Sequence, residues 1–209
     1  LEVLPEDIFK IGDLYYQVTE DKRTVEVVRN GDQKYDILEL SIPEYIYYNG
    51  HQYTVNGIGK EAFYKNSSIK SVKIPNSIFN IGEKAFYGCE SLTSIKIPNS
   101  VTSIGESAFN GSGLRGELNL PKDLVVISVD AFASCDFTGE LKIPTDVAII
   151  GSGAFSNNWR LMGTVEFPKA LLSIGDGAFI NCSSIEGLVF EDGIETIGKG
   201  AFENCYGIN

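Results

Sequence analysis

Four cysteines, Cys89, Cys135, Cys182 and Cys205, and a single histidine, His51, are the residues of this chain best equipped for redox, nucleophilic or metal chemistry. A zinc site wants thiolates in a close pair such as Cys-x-x-Cys, and here even Cys182 and Cys205 are 23 residues apart. One imidazole cannot build a multi-histidine site. His51 stands beside Asn49-Gly50 with no serine, cysteine or carboxylate cluster near it in sequence, so solvation at a turn is its expected role. Glu117 and Glu140 form a carboxylate pair of the kind that acid–base catalysis uses, but Lys96 and Lys142 stand near them. An ion-pair ladder is the simpler expectation, and no motif calls for a cofactor or a metal. What remains is recognition.

The cysteine spacing points to the elements that must carry these residues. Ala-Phe recurs at Ala62, Ala85, Ala108, Ala131, Ala154, Ala178 and Ala201, in steps of 23, 23, 23, 23, 24 and 23 residues. Four residues before each alanine stands an isoleucine, from Ile58 to Ile197, followed by glycine in every case but one, where Ser128 takes its place. Each cysteine lies three residues after the motif phenylalanine, where other units have Asn66, Ser112 and Asn158. This is one row of small buried residues, so four reduced, unligated thiols are expected. A unit this short cannot bury its own apolar face, and stacking must do it. The expected fold class is therefore an α/β, β-rich repeat solenoid.

Within each unit, triplets such as Val72-Lys73-Ile74, Ile95-Lys96-Ile97 and Leu118-Asn119-Leu120 alternate as half-buried strands should. A proline ends most of them. The Ala-Phe pair belongs on the opposite side, where a short helical turn is expected with seven phenylalanines buried in one row. The glycine that follows each isoleucine is expected to adopt a backbone conformation that a β-carbon resists.

The unit resembles "IGEKAFYGCESLTSIKIPNSVTS" of the BspA-like leucine-rich repeat family of bacterial surface proteins, over roughly Leu40 to Asn209. The resemblance implies a right-handed coil with a parallel sheet on one face, exported to the cell surface or beyond, that binds host or matrix proteins. Glu191 in place of the strand-ending proline and an extra residue in "NNWRLMG" depart from the pattern.

Residues 1–39 lack the repeat and read as a small antiparallel β cap, with residues 40–209 forming a solenoid of about seven units. The first unit carries a hairpin insertion near residues 44–55, marked by Asn49-Gly50 between tyrosine-rich arms. The chain opens on Leu1 and stops at Asn209 where a further strand would begin. The expectations are a removed leader at one end, and at the other more repeats or an uncapped edge open to self-association.

Composition sets the partner class. Net charge is −11, which repels nucleic acid and anionic membrane surfaces, and no run of apolar residues is long enough to insert in a bilayer. The partner-binding candidates are the outward positions of successive strands: Ser71 and Lys73, Ser94 and Lys96, Glu117 and Asn119, Glu140 and Lys142, Thr164 and Glu166. Their character runs from basic to acidic along the coil. Tyr47, Tyr48 and Tyr53 of the hairpin are added as amphipathic anchors, and Trp159 is either core or an exposed anchor beside Arg160. The expected function is a non-enzymatic, exported binding or adhesion module; a structural spacer and a carbohydrate-active solenoid enzyme are the alternatives.

Overall fold

The computed structural model describes residues 8–29 and 35–208. From Ile58 on, the chain winds through six complete coils and part of a seventh, each with an outer strand, a short second strand and the Ala-Phe turn. The core lies between the three sides. Val72, Leu118, Leu141 and Val165 point in from the outer side, the isoleucines from Ile58 to Ile174 from the second, and the phenylalanines from the turn. Phe63, Phe86, Phe109, Phe132, Phe155 and Phe179 are fully buried and stack at 5.1–5.9 Å between ring centroids, with Tyr35 extending the stack 5.1 Å beyond Phe63. The seventh, Phe202, is only half-buried.

The expected helical turn is absent: no described residue is helical. In every coil the residue before Ala-Phe and the second residue after it have left-handed φ of 52–67°, as at Glu61 and Lys65, or Gly177 and Asn181. A left-handed residue at each end of the turn excludes an α-helix, which needs consecutive right-handed residues. It aims alternate amides at the next coil instead. Glu61, Phe63 and Lys65 donate to the carbonyls of Glu83, Ala85 and Tyr87 at 2.9, 2.8 and 2.7 Å. Ala62, Tyr64 and Asn66 close turns within their own coil.

The repeated glycine also acts differently from expectation. Gly82, Gly105, Gly151, Gly175 and Gly198 lie outside the left-handed region, but a β-carbon on any of them would sit 2.4–2.7 Å from backbone atoms of the preceding coil. Close approach is what requires glycine here. It lets each amide reach back, as Gly82 does to Ile58 (2.7 Å) and Gly175 to Ile150 (2.7 Å).

The N-terminal strands do not stand apart as a cap. Strands β1 (Phe9–Ile11), β2 (Leu14–Val18) and β3 (Thr24–Val28) are antiparallel, but β3 pairs in parallel with β6 (His51–Ile58). They are thereby the edge of one seven-stranded sheet that continues through β8 (Asn80–Ile81) to β10 (Ser103–Ile104). Strand β5 (Tyr45–Tyr48) completes it as a hairpin with β6, turning at Asn49-Gly50 and pairing Ile46 with Tyr53.

The parallel ladders then break. On the outer side, β4 (Glu39–Ser41), β7 (Ser71–Lys73) and β9 (Ser94–Lys96) form one sheet, while β14 (Gly139–Lys142), β16 (Leu161–Phe167) and β18 (Ile185–Phe190) form another. The expected strand at Leu118-Asn119-Leu120 between them does not form; its neighbour β11 (Arg115–Gly116) pairs only with β13 (Asp136–Phe137). On the second side, β10 is unpaired with β12 (Val126–Ile127), which starts a new ladder through β15 (Ile149–Ile150) and β17 (Ser173–Ile174) to β19 (Thr196–Ile197).

Two local causes coincide there. The inward residues of the outer side are three apart in coils 1 and 2 (Ile69 and Val72, Leu92 and Ile95) but four apart in coils 3 to 5: Leu114 and Leu118, Phe137 and Leu141, Leu161 and Val165. The added residue is absorbed beside Gly116, Gly139 and Gly163, whose φ values are 75–90°. Coils 3 and 4 compensate by shortening the run from the cysteine position to the inward residue. Coil 5 does not, which makes it the 24-residue unit. Coils 2 and 3 are therefore out of register on the outer side. On the second side, Ser128 replaces the close-approach glycine, and its hydroxyl donates to the Ile104 carbonyl at 2.6 Å where the other coils use their backbone amide.

Candidate binding surface

The cysteine row is structural. Cys89, Cys182 and Cys205 place Sγ 3.0–3.1 Å from the carbonyl of the phenylalanine one coil earlier, Cys135 does so at 3.3 Å, and the Asn158 amide makes the same tie to Phe132 at 2.7 Å. All four cysteines are free and buried. Desolvation pushes Cys89, Cys135 and Cys182 up to about 12 and raises Cys205, so none is a nucleophile at neutral pH. Among the described residues no group of three or more His, Cys, Asp and Glu could hold a metal ion. No helix among them is long and apolar enough to cross a membrane.

The outer row is exposed as the alternation requires, with Lys73, Ser94, Lys96, Glu117, Asn119, Glu140, Lys142, Thr164 and Glu166 all facing solvent; Ser71 is half-buried. Strand register sets Ser71 beside Ser94 and Lys73 beside Lys96. The expected ion-pair ladder is not made: the salt bridges among the described residues lie elsewhere, at Lys60–Glu83, Lys84–Glu83 and Arg160–Asp136 among others, and none joins Glu117 or Glu140 to Lys96 or Lys142. The broken register between coils 2 and 3 removes the neighbour relation that Lys96 and Glu117 would need. A recess of about 940 Å³ lies across coils 1 to 3 on this face, bordered by Lys73, Lys96, Asn99 and Asn119. A smaller one of about 330 Å³ lies further along, between Glu117, Glu140, Lys142 and Glu186. The face therefore carries a basic and an acidic half.

The hairpin supplies fewer anchors than its composition promises. Tyr53 points inward with Ile46 and is buried, and half-buried Tyr48 stacks on Phe9. Tyr47 is 71% exposed, and Tyr45, which sequence reasoning passed over, is 49% exposed. Both border a recess of about 550 Å³ with Leu40 and Ser41 of the outer sheet. Trp159 is 56% exposed, with the Arg160 guanidinium 5.5 Å from its ring centre. Also missed was an exposed aliphatic strip on the second side: Val125, Val126, Val129, Ile149 and Leu172. For all but Val129, which lies two places after Ile127, its signal is the apolar residue one or two places before the repeated isoleucine.

Six copies of the BspA type leucine-rich repeat region match the chain, over residues 56–163 and 159–209. The chain belongs to this BspA-type family. Among solved structures, the BspA-type chain is similar to the leucine-rich repeat protein of T. pallidum, at 28% identity and a TM-score of 0.79 over 94% of this chain and 88% of that one. A leucine-rich repeat protein from Bacteroides ovatus is 30% identical, with a TM-score of 0.75 over 94% of this chain and 56% of that one. A leucine-rich cell surface protein from Faecalibacterium prausnitzii, at 22% identity, shares the fold with a TM-score of 0.68 over 100% of this chain and 55% of that one. The chain spans little more than half the length of the latter two. No curated protein matches it.

Proposed function

We propose that this BspA-type chain is a non-enzymatic module of the cell exterior that holds a protein partner, of host or matrix origin, on its outer strand row. The observation that carries the reading is the pair of aligned outer ladders, one on each side of residues 117–120. Lys73 and Lys96 are exposed neighbours in register, and Glu140 and Glu166 follow on later coils of the same face. Repeated strands thus offer charged side chains about 4.8 Å apart to a large ligand, whereas the turn side commits its backbone to inter-coil bonds. Tyr47 and Tyr45 border the start of this row and add aromatic contact area. The surface location of the F. prausnitzii neighbour accords with an exterior site of action.

The test is capture of extracellular host and matrix proteins by the immobilised chain, followed by paired charge reversals. Lys73→Glu with Lys96→Glu should weaken a captured partner at low salt. Lys84→Glu with Glu106→Lys on the turn side should leave it unchanged; Glu61 already fills the left-handed position equivalent to Lys84. Loss of binding in the turn-side pair alone would place the face wrongly, and equal weak recovery from every bait would leave the spacer role.

A further inference from the structure

The position that follows the cysteine row is never buried; it lies at the corner between the Ala-Phe turn and the outer strand. In coils 5 to 7 it carries Trp159, Ser183 and Tyr206. Ser183 Oγ donates to the Trp159 carbonyl at 3.4 Å and the Gly207 amide to the Ser183 carbonyl at 3.0 Å, so the three coils stack in step here. The two aromatic residues are therefore two coil spacings apart, about 9.6 Å, with only a serine between them. Both are open to solvent, Trp159 at 56% and Tyr206 at 79% exposure.

Both rings are also held in place. Arg160 bonds Asp136 Oδ2 at 3.0 Å and sets its guanidinium over one face of the Trp159 ring, leaving the other face to a ligand. Tyr206 donates its hydroxyl to Asn204 Oδ1 at 2.7 Å. Asn204 belongs to an amide ladder that runs beside the aromatic row: its Nδ2 donates to Asn181 Oδ1 at 2.8 Å, and Asn181 Nδ2 donates to Asn157 Oδ1 at 2.7 Å. Asn157 Nδ2 in turn donates to Ser134 Oγ at 3.3 Å. Each amide spends one N–H and one oxygen lone pair on these bonds and has one of each left. The charges of Asp136 and Arg160 cancel, so the patch is neutral on a chain of net charge −11.

Aromatic faces flanked by amides suit a sugar, whose ring has an apolar C–H face and a rim of hydroxyls that both donate and accept. The spacing selects the linkage. Successive rings of a β-1,4-linked glycan are flipped, so every second ring turns the same face to one side, and a sugar unit is close to a coil spacing in length. An α-1,4-linked chain coils and loses that alignment. We propose that Trp159 and Tyr206 form a platform for a neutral β-1,4-linked glycan. The glycan lies along the coil axis with two alternate sugars stacked on the rings, the intervening one over Ser183, and hydroxyls on the asparagine ladder. This is a second site, beyond the protein-binding face proposed above and independent of it.

The probe is cellohexaose, followed by the emission of Trp159, the chain's single tryptophan, and by calorimetry. Binding should change the emission. Cellobiose, which reaches one platform at a time, and the α-1,4-linked maltohexaose should each bind at least about tenfold more weakly. Trp159→Ala and Tyr206→Ala, both at exposed positions and so without effect on the melting curve, should each lower the calorimetric affinity at least about tenfold. The proposal is overturned by no binding of cellohexaose at about 5 mM, by equal affinity for cellobiose or maltohexaose, or by unchanged affinity in either variant. Lys73→Glu with Lys96→Glu should leave glycan binding intact; its loss there would move the site to the outer strand row and overturn this one.

Discussion

Substituting Gly175 gives an ordering of variants that side-chain size alone would invert. A β-carbon there would lie 2.4 Å from the Ser152 amide nitrogen, 2.7 Å from the Gly151 carbonyl carbon and 2.8 Å from Ser152 Cα, all backbone, so the coil must move away. The move breaks the 2.7 Å bond from the Gly175 amide to the Ile150 carbonyl. An unpaired buried backbone group costs about 1–3 kcal/mol and overpacking a further 1–3 kcal/mol, against a gain of about 0.4–1 kcal/mol from the stiffer unfolded chain. Gly175→Ala should therefore destabilise by about 1–6 kcal/mol. Gly175→Ser, although larger, should cost less, because Ser128 shows a hydroxyl bridging to the equivalent carbonyl at 2.6 Å. Conversely, Ser128→Gly should stabilise by letting the ladder close, and Ser128→Ala should destabilise. The assay is urea denaturation with the slope checked for constancy across variants. A serine variant at position 175 as unstable as the alanine one, or a Ser128→Gly variant less stable than the parent, would refute the close-approach account.

Three further outcomes follow from packing and burial. Phe109→Ala, which empties the middle of the ring stack, should cost about 3–5 kcal/mol, and the same change at half-buried Phe202 clearly less; equal melting shifts would contradict the continuous core. Titration of the denatured protein without reductant should find four thiols, while the native protein should react slowly at pH 8 because Cys89, Cys135 and Cys182 are pushed up to about 12; fast native labelling of those three would contradict their burial. Burial holds the Glu26 carboxyl above its ordinary pKa, so its contribution is present at low pH and lost as pH rises through that raised value. Glu26→Gln should accordingly be more stable than the parent at neutral pH, with the gap closing toward about pH 4; a gap that ignores pH would exclude the assignment.

The repeat made most of the core legible, since Ile-Gly and Ala-Phe recur at positions that must face one another when coils stack. The turn was misjudged because its left-handed sites are occupied by Glu61, Lys65 and Lys84 as well as by Gly88, Asn157 and Asn181. Only the latter set announces the conformation; in the former, inter-coil bonds impose it. The bulge in coils 3 to 5 was readable in the shift from three- to four-residue spacing beside Gly116, Gly139 and Gly163, but a fixed 23-residue count conceals it because coils 3 and 4 compensate. Tyr53 could have been placed inside from the hairpin alone. A two-residue turn at Asn49-Gly50 pairs it with Ile46, and the period of two then sends Tyr45 and Tyr47 outward. The unmade strand at residues 117–120 depends on a mismatch between neighbouring coils, which no single unit records.

That mismatch also has a mechanical meaning. Across most of the coil, load passes between neighbours through bonds on all three sides. Between coils 2 and 3 both strand rows are interrupted, and the turn-side bonds such as Lys84 to Glu106 (2.9 Å) and Phe86 to Ala108 (2.7 Å) remain, with the shared core. The joint is thus stitched continuously along the turn side and only at isolated points along the strand sides, by Arg115 to Thr93, Lys122 to Asn99 and Ser128 to Ile104. Bending that opens the strand rows meets its least resistance there, and each half can keep its own ladder while the angle between them changes.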